Sequence, residues 1–140
     1  LKSKKLKTKS VVFLGNIDNV QSYLWESDIY LHSATYEPFG LVLIEAMAAG
    51  LPVLTINGKG NVDIMEQGKN GFVLQENKEV FSNKINELYL NNSEYLKISK
   101  FCKEYAMKFD ILNYTNLLTN YYKSILKNNR NERGEQRDNP

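Results

Sequence analysis

At 140 residues and 16.2 kDa the chain has room for one domain, which excludes a large two-domain enzyme in these residues. Hydrophobic residues at 42% and charged residues at 24% are ordinary globular values. A single cysteine, Cys102, excludes an internal disulfide framework and any zinc site built from cysteines, and it fits a reducing compartment.

The net charge of +2 hides an asymmetry. Residues 1–10 carry five Lys and no acid, residues 128–140 balance three Arg against three acids, and residues 11–127 hold ten Lys against thirteen acids. A mildly acidic body offers no basic face for nucleic acid. The lysine arm can serve as a solvated linker or touch an anionic membrane surface. No apolar run approaches the roughly 18–20 residues of a membrane span, and no signal-peptide pattern follows the lysines. The expected organisation is a basic arm or linker at 1–10, a folded body at 11–127, and a disordered polar tail at 128–140.

From Val11 onward, short apolar runs alternate with segments of helical period. Val11 to Leu14 reads as a buried strand closed by Gly15, and Asn16 or Asp18 can cap a helix through Val20, Tyr23 and Leu24. Ile29 to His32 is the second strand. Leu41 to Ala49 is too long for a strand and rich in helix formers, with Gly50 placed for a left-handed cap and Pro52 forbidding continuation. Pro52 to Thr55 is the third strand, Val62 to Glu66 a short helix, and Phe72 to Leu74 the fourth strand. Strands alternating with helices imply parallel pairing, hence an open, parallel, doubly wound (Rossmann-like) α/β sheet of about four strands. The last third is helical, with apolar stripes at Phe81, Ile85 and Leu88, at Ile98, Cys102, Tyr105 and Phe109, and at Tyr114, Leu117, Leu118, Tyr121 and Ile125. These stripes are expected to pack, with Cys102 as a small core residue.

Chemistry concentrates between Ser33 and Gly50. Glu45 sits among apolar residues that read as fully buried, so it needs either a structural donor or a cleft whose ligand supplies donors. Glu37 belongs to the loop, beyond Pro38 and Gly40. A helix starting at Gly40 points free N–H groups and its positive dipole end into that loop. Glu45 lies about 7.5 Å further along the axis, at 1.5 Å per residue. A ligand across this helix start would meet Glu37, then an anionic middle at the amides, then Glu45, which is the outline of a hexose, a diphosphate and a ribose. Such helix starts lie at the carboxyl edge of the sheet, where open α/β folds bind ligands. The turn Asn57 to Gly60 and the loop Gly15-Asn16-Ile17 are expected at the same edge. His32, ending the second strand, is either a polar strand terminus or a ligand contact. Neither a P-loop nor a dinucleotide fingerprint is present.

The FLG at 13–15, the WESDIYLHS run at 25–33, EPFGLVLIEAMAAGLPV at 37–53 and the GKNGF turn at 68–72 together resemble the C-terminal, donor-binding half of retaining GT-B glycosyltransferases (family 4, glycosyl transferases group 1). The resemblance covers Val11 to Tyr122. It implies a catalytic role for Glu37 near the anomeric centre of the transferred sugar. It implies donor binding by Phe39, Gly40, Leu41, Val42, Glu45 and Gly60, with the base cradled by Gly15, Asn16 and Ile17, and no metal or other cofactor. Whether Glu37 attacks or stabilises positive charge stays open. Where the family shows Gly-Gly and then Glu, this chain has Lys59-Gly60 and Asp63.

The implied function is hexosyl transfer from a nucleotide diphosphate sugar to a glycan or lipid-linked acceptor, in bacterial surface polysaccharide synthesis. It would take place in the cytoplasm or at the inner membrane face, with an N-terminal acceptor domain supplied in cis or in trans. The rival from another class is a non-catalytic sugar-nucleotide-binding subunit or scaffold of a split enzyme. A sugar-nucleotide epimerase of the same architecture is a third reading, and it would not need the two spaced glutamates.

Overall fold

The computed structural model describes residues 11–135, with side chains through residue 128. The basic arm at 1–10 and the last five residues lie outside the described residues. The elements run α1 (Val20–Trp25), β1 (Tyr30–His32), α2 (Leu41–Ala48), β2 (Val53–Ile56), α3 (Asn61–Ile64), β3 (Gly71–Leu74), α4 (Lys78–Leu90), α5 (Asn92–Ala106), a 3₁₀ turn (Met107–Phe109) and α6 (Ile111–Glu135). The three strands form one parallel sheet in the order β1-β2-β3, with Tyr30 beside Val53 and His32 beside Thr55. On the other side of β2, Val53 lies beside Gly71 and Leu54 beside Phe72. The expected α/β class holds.

The core sits where α2 and α5 meet the sheet. Leu43, Ala46 and Met47 of α2, Val53 and Leu54 of β2, and Ile98 and Cys102 of α5 are all buried. Cys102 is fully buried, and its thiol donates to the Asn70 carbonyl at 3.2 Å. Burial pushes that thiol up to about 12, so it behaves as the small core residue expected.

Four expectations change. Val11 to Leu14 is not a strand: it pairs with nothing among the described residues, and Val12 and Phe13 are 77% and 65% exposed. An apolar run becomes a strand only where a neighbour supplies the ladder, and β1, three residues long, carries none on its outer edge. The cap of α1 is Asn19, whose side chain accepts from the Ser22 amide, so neither Asn16 nor Asp18 caps it. The stripe on α6 does not pack, since Tyr114, Leu117 and Tyr121 stay exposed. Finally, α6 continues to Glu135, so residues 128–135 of the expected disordered tail are helical. Propagating an existing helix adds one hydrogen bond per residue fixed, without a new nucleation cost. No helix among the described residues is long and apolar enough to cross a membrane.

Candidate functional site

The candidate site lies at the carboxyl edge of the sheet, where the loop after β1 turns into α2. Gly40 is the N-cap of α2 with φ 78° and ψ 36°, a left-handed conformation that glycine adopts without steric cost. Its carbonyl accepts from the amides of Leu43 and Ile44, at 2.9 and 3.3 Å. Leu41 and Val42 occupy the first two helical positions, so their amides have no carbonyl above them. The N-terminus of α2 therefore presents unspent donors and the positive end of the helix dipole.

Glu37 reaches back to this helix start. Its Oε1 accepts from the Gly40 amide at 3.2 Å, and its other oxygen has no protein donor among the described residues. Its own amide donates to the Lys59 carbonyl at 3.0 Å, and Tyr36 forms a parallel bridge with Lys59. The turn after β2 thus backs the loop that carries Glu37, with Gly60 pressed against the Glu37 carbonyl. Phe39 is half-exposed and meets the ring of Phe109 edge to face at 6.3 Å, and Phe109 packs in turn on Tyr105 at 5.6 Å.

Glu45 overturns one expectation. It is exposed and makes no ion pair or hydrogen bond among the described residues. The apolar stretch 41–48 is amphipathic: Leu43, Ile44, Ala46 and Met47 face the core, while Leu41, Val42, Glu45 and Ala48 face outward. Glu45 lines an open groove of about 440 Å³ together with Lys103, Phe109 and Asp110. The charges of both acids act on one side chain. The Tyr30 phenol, half-buried on β1, is pushed above its ordinary value by burial first and then by the negative charges of Glu45 and Glu37.

Glu37, Phe39, Gly40, Leu41, Val42, Glu45 and Gly60 thus share the α2 edge. No hydrogen bond among the described residues ties Gly15, Asn16 or Ile17 to them, and Gly15 has open space around it. His32 is buried, stacks on Tyr30 at 6.1 Å and leaves Nε2 without a partner. Asp63 lies exposed in the first turn of α3. Sequence reasoning missed Tyr30, Asn61, Lys103 and Phe109, which come to the site only through the fold. A period-2 reading of β1 would have placed Tyr30 on the same face as His32. A larger open groove, about 950 Å³, is lined by Glu26, Leu31 and Tyr95 and by none of the expected site residues.

The profile of the glycosyl transferases group 1 matches residues 1–108. Spore coat protein SA of Bacillus subtilis is 36% identical over 83 residues, 57% of this chain and 22% of that protein. N-acetyl-alpha-D-glucosaminyl L-malate synthase of Bacillus anthracis is 40% identical over 65 residues, 46% of this chain and 17% of that protein. Among solved structures, Anabaena Alr3699/HepE in complex with UDP and glucose superposes with a TM-score of 0.74 at 27% identity, covering 83% of this chain and 32% of that one. The chain spans about a fifth of the length of these curated relatives and about a third of the solved one.

Proposed function

The chain belongs to the glycosyl transferases group 1, and from that premise we propose that it is the donor-binding part of a retaining hexosyltransferase using a nucleotide diphosphate sugar. The observation that carries the reading is the helix start itself. Unspent amides at Leu41 and Val42 stand between a carboxylate folded back at Glu37 and an uncommitted one at Glu45. Both acids can accept from hydroxyls, and the amides and helix dipole suit the phosphates between them. The UDP and glucose held by the Anabaena protein support the same ligand class.

In this reading Glu45 accepts from the ribose diol and Glu37 lies beside the anomeric carbon. The C1–O bond to the diphosphate breaks and its electron pair leaves on the diphosphate. Positive charge then grows at C1 and the ring oxygen, and the free oxygen of Glu37 stabilises it. An acceptor hydroxyl on a glycan or lipid-linked sugar forms the new C1–O bond from the face the diphosphate leaves, and its proton passes to a phosphate oxygen. Configuration at C1 is retained. The charge of the departing diphosphate is met by the α2 amides and the positive end of the helix dipole, so the reading calls for no metal ion. The acceptor would be bound by a further domain, in cis or in trans.

Calorimetric titration of the chain with UDP, GDP and ADP tests the proposal. One of the three should bind, and Glu45→Ala should weaken it by about 10–100-fold, the loss of a charged hydrogen bond of about 1.5–3 kcal/mol. Binding by none of them refutes the donor reading. Equal binding by Glu45→Ala refutes the ribose assignment.

A further inference from the structure

Asn61 opens α3 and is fully buried, yet its side chain is only partly used. Both protons of Nδ2 are spent, one on the Ala34 carbonyl at 3.0 Å and one on Thr55 Oγ1 at 3.1 Å. Oδ1 is buried with no partner. A flipped amide would set Oδ1 against the Ala34 carbonyl, two acceptors face to face, so the orientation is fixed by its donors. An unpaired buried oxygen is a stability loss that an apolar residue of similar volume would avoid. What the asparagine gives in exchange is a location. Ala34 lies three residues before Glu37 on the loop after β1, and Thr55 belongs to the central strand, beside His32. Thr55 Oγ1 donates onward to the Ile56 carbonyl, which anchors the pair in the sheet. The loop is held a second time by the Glu37 amide on the Lys59 carbonyl, and Asn61 itself is set by its amide on the Gly58 carbonyl at 3.2 Å.

We infer that Asn61 is a positioning residue: its forked amide ties the Glu37 loop to the central strand, so that the Glu37 carboxylate stays fixed over the Gly40 amide. This rests on the reading of Glu37 as the sugar-side acid. Asn61 touches no ligand in this scheme and acts through Ala34. Its removal should therefore affect the sugar end of the donor and spare the nucleotide end.

The test replaces Asn61 by Leu, which keeps volume and removes the orphaned oxygen, and by Ala should the leucine variant fail to fold. Amide exchange is followed in the unliganded chain, and UDP and UDP-glucose are titrated separately. The expected result is a melting temperature close to that of the unaltered chain. The amides of Glu37 and Gly40 should exchange at least about tenfold faster while that of Leu54 is unchanged, as for opening of one local unit. The preference for UDP-glucose over UDP should shrink while UDP affinity holds. Unchanged exchange at Glu37 and Gly40 in a folded variant overturns the inference. So does a parallel fall of melting temperature and both affinities, which marks a merely structural role. If the unaltered chain binds UDP yet does not distinguish UDP-glucose from it, the reading of Glu37 as the sugar-side acid fails, and the exchange rates still decide whether Asn61 holds the loop.

Discussion

Replacing Gly60 by alanine probes whether the turn after β2 is the template for the loop that carries Glu37. Gly60 sits at φ 89° and ψ −35°, where an L-residue is strained. A Cβ built there falls inside the contact envelope of the Glu37 carbonyl oxygen and lies 3.4 Å from the Pro38 carbonyl carbon. These obstacles are backbone, not the far end of a flexible side chain, so the two loops must part by more than an ångström. That takes the Glu37 amide, now 3.0 Å from the Lys59 carbonyl, out of hydrogen-bond range. Strain of about 1–3 kcal/mol and one net hydrogen bond of about 0.5–1.5 kcal/mol give a loss of about 2–4 kcal/mol. At a urea slope of about 2 kcal/mol per molar, the unfolding midpoint should drop by about 1–2 M. Gly15→Ala is the control. Gly15 has φ 69° but nothing within 4 Å, so it carries backbone strain alone, about 1–2 kcal/mol. Urea unfolding followed by circular dichroism compares the two. If Gly60→Ala costs no more than Gly15→Ala, the turn does not brace the Glu37 loop and the argument fails.

Glu37→Gln keeps an oxygen for the Gly40 amide, so UDP affinity and stability should hold within about twofold. Turnover of the complete enzyme should fall on the order of 10²–10³, as for loss of one transition-state contact; unchanged turnover removes Glu37 from the mechanism. Alkaline stability should decline through Cys102, whose thiol is raised by burial from 9.0 to about 12. Because the folded value lies above the unfolded one, this stabilisation is complete below pH 9 and is lost as pH rises toward 12, at up to about 1.4 kcal/mol per pH unit. The raised phenols of Tyr30, Tyr95 and Tyr105 act in the same sense only above pH 10. Urea midpoints between pH 9 and 10 should therefore fall for the unaltered chain and stay flatter for Cys102→Ala, and equal slopes refute the assignment. Phe109→Ala removes the edge-to-face partner of Phe39, worth about 0.5–1.5 kcal/mol beyond the area it covers. It should weaken UDP-glucose more than UDP in a calorimetric titration, and equal effects would detach Phe39 from the sugar end.

The parts of the fold legible in the sequence are those whose causes are local. β1, β2 and β3 fall within a residue of the short apolar runs that announce them, because polar or turn-forming residues bound each run: Asp28 and Ser33, Pro52 and Asn57, Gly71 and Gln75. α2 is capped by Gly40 and followed by Gly50, both at positive φ. Val11 to Leu14 carries an equally strong local signal and still is not a strand. Pairing belongs to the neighbour as much as to the segment, and β1 ends the sheet. The stripe on α6 fails in the same way: period 3.6 shows a helix with an apolar face, and burial of that face depends on what lies against it.

The site divides along the same line. Glu37 and Glu45 could be picked out because acids stand out in an apolar phrase opened by glycine. Their surroundings could not be read that way, and Glu45 shows why. Counted as a run, positions 41–48 look buried throughout. Counted at helical spacing, Leu41, Glu45 and Ala48 form the outward face. The exposure strengthens the functional reading over the structural one, since a carboxylate in water without a partner contributes little to stability and is free to accept from a ligand. Asn61 and Phe109 had no such signal. Asn61 bonds across 27 residues to Ala34, and Phe109 meets Phe39 from the 3₁₀ turn that follows α5. Side chains that hold a loop in place are recognised by what they touch, and that is fixed only when the sheet, α2 and α5 have packed together.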